Sequence, residues 1–474
     1  MQTDPTRQLF EMTINGRAAA TSETVSVINP ATGRVFAQAP NCTAAQLDEA
    51  VIAATTSFRH WRSTQVERRR ETLCTAATCL EANQEELAVL TTMEQGKPLA
   101  AARLEVQRAA EWMRSVAQLP LPLPHRDTAR SDIVETTYVP LGPVCIIAAW
   151  NVPVTLAIRK SAPALLAGNT VVLKPSPLTP LATLRIGQLF SEILPEGVFN
   201  VISGGDELGP RMTEHPGFAK ISFTGSTATG KRVMAAAARD LKRVTLELGG
   251  NDAAIVMDDV DVERVAESIF IGAFANSGQV CVATKRLYVH EAVYDDLKRK
   301  LVDLASQAKL GDGLDPDTQF GPLQNQQQYL RVQQLLAESA AEGLTLIKGP
   351  AFPGAGYFIP LTLIDNPPES SRVVREEAFG PVLPMMKFSS VEDVIDRANS
   401  SEYGLAGSVW SGNLSRAREI ASRIETGTVW INHNLALRAD VPFAGHKQSG
   451  IGVEYGADGL LEFMIPKTVY VRPL

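Results

Sequence analysis

The sequence is short of several things, and each shortage removes a class of protein. Nowhere in its 474 residues does an apolar run approach the roughly 18 residues that a membrane-crossing helix needs, so no membrane partner is expected. Its cysteines number five: Cys42, Cys74, Cys79, Cys145 and Cys281. An odd count with no CxxC spacing argues against a disulfide framework and against a zinc site, so no metal is expected. Positive charge is not in excess. The 45 Lys and Arg against 52 Asp and Glu leave a net charge of −7, which disfavours a nucleic-acid partner. The first residues lack a basic stretch followed by an apolar core, so no secretory signal is expected and a reduced, cytoplasmic location is. Internal repeats and low-complexity tracts are lacking too.

What is present is the composition of a globular protein, 45% hydrophobic and 20% charged, long enough for two or three domains. Residues 1–40 read as irregular, with Asn29-Pro30-Ala31-Thr32-Gly33 as a turn between short extended runs. From 43 to 118, Leu and Ala recur at spacings of three and four among Arg and Glu, which predicts helices. Pro120, Pro122 and Pro124 rule out a helix over 119–126, and 132–139 are β-branched and alternating up to Pro140. The stretch 119–139 reads as a protruding ribbon, with an interdomain linker as the alternative.

A regular rhythm follows. Strand-like runs at 143–149, 170–174, 198–202, 220–224 and 243–248 alternate with helical stretches, and 253–257 opens a second cycle through 284–290, 344–347, 382–388, 407–410 and 428–431. Such repetition implies parallel sheets covered on both faces. The fold class expected is α/β, with two doubly wound Rossmann-like domains and a small β oligomerisation ribbon. The first domain takes 1–118 and 140–249, the second 250–458, and the oligomerisation segments are 119–139 and 459–474. The strand-like Thr468–Val471 has no partner nearby in sequence and is expected to pair with the 132–139 ribbon of a second subunit.

Three places carry chemistry. Phe274-Ala-Asn-Ser-Gly-Gln-Val-Cys281 ends a short polar loop on a thiol, Glu247 ends an apolar run, and Asn151 lies just past another. Together they offer a nucleophile, a base and an oxyanion donor. The Gly-rich stretch Gly225-Ser-Thr-Ala-Thr-Gly-Lys231 follows a predicted strand and matches a phosphate-binding GxxxxGK loop. Arg232, however, stands where that loop needs a hydroxyl for magnesium. What remains is a helix N-terminus suited to a pyrophosphate, or simple capping by Ser226.

In combination these motifs resemble the aldehyde dehydrogenase superfamily. The resemblance is carried by Trp150-Asn151-Val152-Pro153, Lys174-Pro175-Ser176, Phe223–Thr227, Leu246–Gly250 and Gly278–Cys281, then by Glu376–Pro381 and Pro442–Lys447, in the family's order over nearly the whole chain. It implies oxidation of an aldehyde to a carboxylic acid with NAD or NADP. Cys281 would be the nucleophile, Asn151 the oxyanion donor beside the Cys281 backbone N–H, and Glu247 the activator of the water that hydrolyses a Cys281 thioester. The other four cysteines read as small buried hydrophobes. By the same resemblance Trp150, Lys174, Ser176, Gly225, Ser226, Gln328, Glu377 and Phe379 would hold the cofactor. Val152, Leu156, Arg159, Val280, Val282 and Phe443 would line the substrate tunnel, and a homodimer or homotetramer is implied.

Small side chains at 152 and 280 suggest room for a hydrophobic or aromatic aldehyde. Arg159 matches a position where succinic semialdehyde dehydrogenases grip a carboxylate, with Arg438 as its possible helper; the alternative is that Arg159 tethers a helix. A coenzyme A-acylating enzyme shares the fold but generally lacks a counterpart of Glu247, and a nicotinamide-free thiol hydrolase would use the same three residues. Glu454 reads either as a proton relay to Glu247 or as a helix cap. Many NAD-preferring relatives carry a Glu three residues after the lysine, where it repels a 2′-phosphate; this chain has Pro177. NADP is therefore expected to be used alongside NAD. The NADP/NAD ratio of kcat/KM should exceed about one in a thousand, and a lower ratio, roughly 4 kcal/mol of discrimination, would show that Pro177 does not relax the preference.

Overall fold

The computed structural model describes residues 9–127 and 133–472. The outermost residues of the expected segments (1–8 and 473–474) and residues 128–132 of the expected ribbon lie outside the described residues.

Two twisted sheets organise the chain. The first runs Arg17–Ala19, Met12–Ile14, Phe199–Val201, Thr170–Lys174, Pro143–Ile147, Lys220–Thr224, Arg243–Glu247, Gly450–Ile451. Its centre is parallel, and Ile147 pairs with Lys174, Phe223 with Ile147, and Thr224 with Glu247. This register brings the carboxyl ends of four strands to one edge. The strand order reverses on either side of Pro143–Ile147, which makes that edge a topological switch point. The side chains of Val171, Val172 and Leu173 are all buried, as befits a strand covered on both faces.

The second sheet runs Thr345–Lys348, Thr362–Asp365, Val382–Phe388, Arg286–His290, Ala253–Val256, Ala406–Trp410, Thr428–Ile431, parallel except at its first strand. Alternation sorts its side chains between two cores: Ala253 and Ile255 join one, Ala254 and Val256 the other. Cys281 precedes Arg286–His290 and Glu377 precedes Val382–Phe388, so this sheet offers the site its amino edge. Among the described residues no helix is long and apolar enough to cross a membrane.

Three expectations change. Residues 9–40 are not irregular: Met12–Ile14 and Arg17–Ala19 form a hairpin about Asn15-Gly16, both at positive φ, and Thr24–Asn29 pairs with Arg34–Pro40. The Asn-Gly pair was the available signal. Thr362–Asp365 is an additional strand, four residues between Pro360 and Pro367 and too short to stand out. Finally, Met464–Val471 pairs antiparallel with Ile133–Pro140 of its own chain, from Met464 with Pro140 to Val471 with Ile133. The reason is local. Asn169 accepts from the Gly142 N–H at 3.0 Å and donates to the Phe463 carbonyl at 2.9 Å, so one side chain pins the roots of both strands together.

Candidate active site

The helix Val262–Phe274 gives way to a turn in which Asn276, Ser277 and Gly278 all adopt left-handed backbone, with φ of 52°, 55° and 73°. Only glycine enters this region freely, and other residues lose about 1–2 kcal/mol there. At Gly278 a side chain is excluded outright, because a Cβ would overlap the Gly380 carbonyl. Hydrogen bonds to other segments hold the strained Asn276 and Ser277 and the Gln279 that follows them. Asn276 Nδ2 donates to Asn151 O at 3.0 Å, Ser277 Oγ to Gly321 O at 2.7 Å, and Gln279 Oε1 accepts from Gln324 N at 2.8 Å. The turn delivers Cys281 to the site. The residue keeps some exposure, yet its thiol is desolvated, and burial pushes it up to about 12. Lys285 opposes that shift, and Glu247, Glu377 and Asp252 add to it.

Asn151 follows the strand Pro143–Ile147 and precedes the helix Pro153–Ala167. Its Nδ2 donates to Gln279 O at 3.0 Å, two residues before the thiol. A buried pair that the sequence did not reveal supports it from behind. Lys97 Nζ donates to Asn151 O at 3.0 Å and is ion-paired to Glu105, whose other oxygen accepts from Thr155 N at 3.1 Å in the first turn of that helix. The one available hint was a lysine set between Gly96 and Pro98, where the helical pattern breaks.

Glu247 closes its strand fully buried, with Oε1 lacking any hydrogen-bond partner among the described residues. Burial raises its carboxyl well above the ordinary range, the neighbouring Glu454 adds to this, and the Lys160 ammonium opposes it. Lys160, also missed from sequence because it sits inside an apolar helix, is ion-paired to Glu454 and donates to Ser222 Oγ at 3.2 Å. Glu454 is therefore occupied by Lys160 rather than capping a helix. The short strand Gly450–Ile451 pairs alongside Leu246 and Glu247 and brings this group from the far end of the chain.

The expected cofactor residues fall into two groups. On the first sheet, Lys174 ends its strand and donates to Pro175 O at 3.3 Å. Burial lowers it to about 8, against the opposing charge of Asp206. Ser176 Oγ accepts from Leu178 N, and Ser226 Oγ caps the helix Thr227–Ala238 by accepting from Thr229 N at 3.2 Å. Gly225 N donates to Glu247 O at 3.0 Å. On the second sheet, Phe379 meets Trp150 edge to face at 5.3 Å between centroids. Glu377 Oε1 accepts from Gly250 N at 3.3 Å and lies 3.5 Å from Lys285 Nζ. Gln328 donates to the carbonyls of Ala378 and Phe379 at 2.7 and 3.1 Å, so its amide nitrogen braces the loop of Phe379.

Of the residues expected to line a tunnel, Val152, Leu156 and Arg159 follow helical spacing along one face, and Val152, Leu156, Val280, Val282, Phe443 and Cys281 join one apolar cluster. Arg159 lies over the Trp112 ring at 4.0 Å and 5.5 Å from the Tyr455 centroid, and Tyr455 stacks on Phe443. This engagement fits the tethering alternative. Arg438 is exposed and paired with Asp440.

Lys97→Met leaves Glu105 buried without its cation and is expected to cost about 3–5 kcal/mol, read from the urea midpoint. The double change Lys97→Met with Glu105→Gln should recover much of that loss. Equal midpoints for the single variant and the unmodified chain would refute a paired Glu105.

The sequence profile of the aldehyde dehydrogenase family matches residues 17–469. The chain is 42% identical over 467 residues to a probable aldehyde dehydrogenase from a Pseudomonas species, covering 98% of this chain and 95% of that one. Among solved structures it resembles the NAD+ complex of an aldehyde dehydrogenase from Bacillus cereus (34% identity, 98% and 97% coverage, TM-score 0.95). It also resembles an NADP-dependent enzyme from E. coli (34% identity, 98% of each chain, TM-score 0.94). The chain belongs to the aldehyde dehydrogenase family and is an NAD(P)-dependent enzyme that oxidises aldehydes.

Proposed function

We propose that Cys281, Asn151 and Glu247 carry the oxidation of a hydrophobic or aromatic aldehyde to its carboxylic acid. The observation that supports this best is the bond from Asn151 Nδ2 to Gln279 O, which seats the oxyanion donor on the nucleophile's own turn. An amide has a second N–H to offer the oxygen that becomes charged when a thiol attacks a carbonyl. Cys281 holds the substrate carbon first as a thiohemiacetal and then as a thioester. Glu247, buried and with one oxygen unpartnered, takes a proton from the water that cleaves the thioester. Lys160 and Glu454 lie behind it as a path for that proton.

The residues present fit a nicotinamide dinucleotide. A buried ammonium at Lys174 and a helix N-terminus at Ser226 lie at the switch-point edge, and Phe379 and Trp150 supply a facing aromatic pair. When bound, the dinucleotide supplies the two-electron acceptor. The resemblance to an NAD+ complex and to an NADP-dependent enzyme supports dual use, as Pro177 does. Arg159, engaged by Trp112 and Tyr455, speaks for a neutral substrate rather than succinic semialdehyde, and the buried Glu247 speaks against coenzyme A acylation. A homodimer or homotetramer in a reducing, cytoplasmic setting completes the proposal. It is supported by the outer edge of Met464–Val471, with Val469, Tyr470 and Val471 exposed, and by five free cysteines.

The test is formation of reduced cofactor with a panel of aliphatic, aromatic and ω-carboxy aldehydes. Cys281→Ala should abolish turnover. Glu247→Gln should keep one rapid equivalent of product and slow the steady rate about 10²–10⁴-fold; an unchanged steady rate would remove Glu247 from its role. Burial lowers Lys174 to about 8, so its charge, and with it any pull on a 2′-phosphate, weakens as pH rises through that value. The kcat/KM for NADP should therefore fall as pH rises through about 8, while that for NAD falls less; parallel profiles would separate Lys174 from phosphate recognition.

A further inference from the structure

Lys285 lies four residues beyond Cys281, at the entrance to the strand Arg286–His290, and is 6% exposed. Its Nζ donates to the carbonyls of Val280 and Cys281, both at 2.9 Å, and of Ala283 at 3.2 Å. Three donors meet three acceptors, all on the turn that carries the thiol. Neutral donors would satisfy those carbonyls at a lower desolvation cost than a buried ammonium, so it is the charge that requires a reason.

The reason lies in what else faces Cys281. Glu247 comes from the end of its strand on the first sheet, Asp252 from the link into Ala253–Val256, and Glu377 from the loop before Val382–Phe388. Among the described residues, the largest charge effects on the thiol come from one cation, Lys285, and three carboxyl groups. Its Nζ also lies within reach of Glu377, and its charge acts on Asp252 as well. The geometry points to Lys285 as a positioning residue whose positive charge lets Cys281 ionise among three acids, while its three hydrogen bonds hold the turn. The ammonium accepts no proton. The S–H bond breaks, the proton leaves to a solvent base, and the cation offsets the charge left on Sγ. This assignment rests on Cys281 being the nucleophile, and nothing in the reaction proposed above otherwise uses Lys285.

The test is the pH dependence of Cys281 alkylation by iodoacetamide in the full-length enzyme without substrate, with Cys281→Ala giving the background from the other four thiols. Lys285→Gln keeps donors and removes the charge; Lys285→Arg keeps the charge. At a fixed pH the Gln variant should alkylate about tenfold more slowly, with its profile displaced to higher pH by about one unit, and the Arg variant should stay near the parent. Coincident profiles for Gln and parent, or equal losses in Gln and Arg without displacement, would reduce Lys285 to a brace for the turn. If Lys285→Gln does not fold, Glu377→Gln decides. It removes a carboxyl group from beside both thiol and ammonium, so alkylation at fixed pH should rise, and no change or a fall overturns the inference. Loss of the nucleophile reading itself would register separately, as turnover surviving in Cys281→Ala.

Discussion

The site depends on one hydrogen bond between its two halves, from Asn151 Nδ2 to the carbonyl of Gln279. Asn151 belongs to the carboxyl edge of the first sheet, and Gln279 to the turn before the amino edge of the second. Parallel strands bring their like ends together, so each sheet can offer one edge to this cleft without any single strand spanning it. Asn276 returns a bond to Asn151 O, and the left-handed turn persists because groups outside it hold the side chains of Asn276 and Ser277 and of the Gln279 that follows.

Buried charge is the second theme. Lys97 with Glu105 lies behind Asn151, Lys160 with Glu454 behind Glu247, and Lys285 behind Cys281. Each lysine is satisfied by a carboxylate or by carbonyls, which is the condition under which a buried ammonium is tolerable. Apolar side chains would pack such places more cheaply. What the ion pairs add is direction: a fixed donor on the Asn151 carbonyl, and a polar route leading away from Glu247. Two of these cations oppose the upward pull of burial on Glu247 and Cys281, although burial prevails at both.

The strand rhythm was legible because a strand covered on both faces must be a continuous apolar run, and 170–174, 220–224, 382–388 and 428–431 match the observed strands end to end. Short elements were not: Thr362–Asp365 carries too few residues to form a pattern. The pairing of Met464–Val471 with Ile133–Pro140 of the same chain escapes a local reading because 323 residues separate their meeting ends, Pro140 and Met464, and nothing local records that Asn169 pins both. Among the candidate site residues, Cys281, Glu247, Asn151 and Lys174 each end a run or stand in a motif. Lys97, Glu105 and Lys160 sit within helical or apolar surroundings, where a charge looks like solvated surface.

By itself, then, the sequence determined the class of fold and the family and nominated the candidate reactive side chains, since these follow from apolar periodicity and from short motifs whose chemistry is contained in a few adjacent residues. Only the tertiary structure decided which groups surround them. A pKa, a strained turn or an ion pair depends on distances between segments far apart in the chain. Glu247 acquires its neighbour Glu454 across 206 intervening positions, and no local pattern encodes that approach.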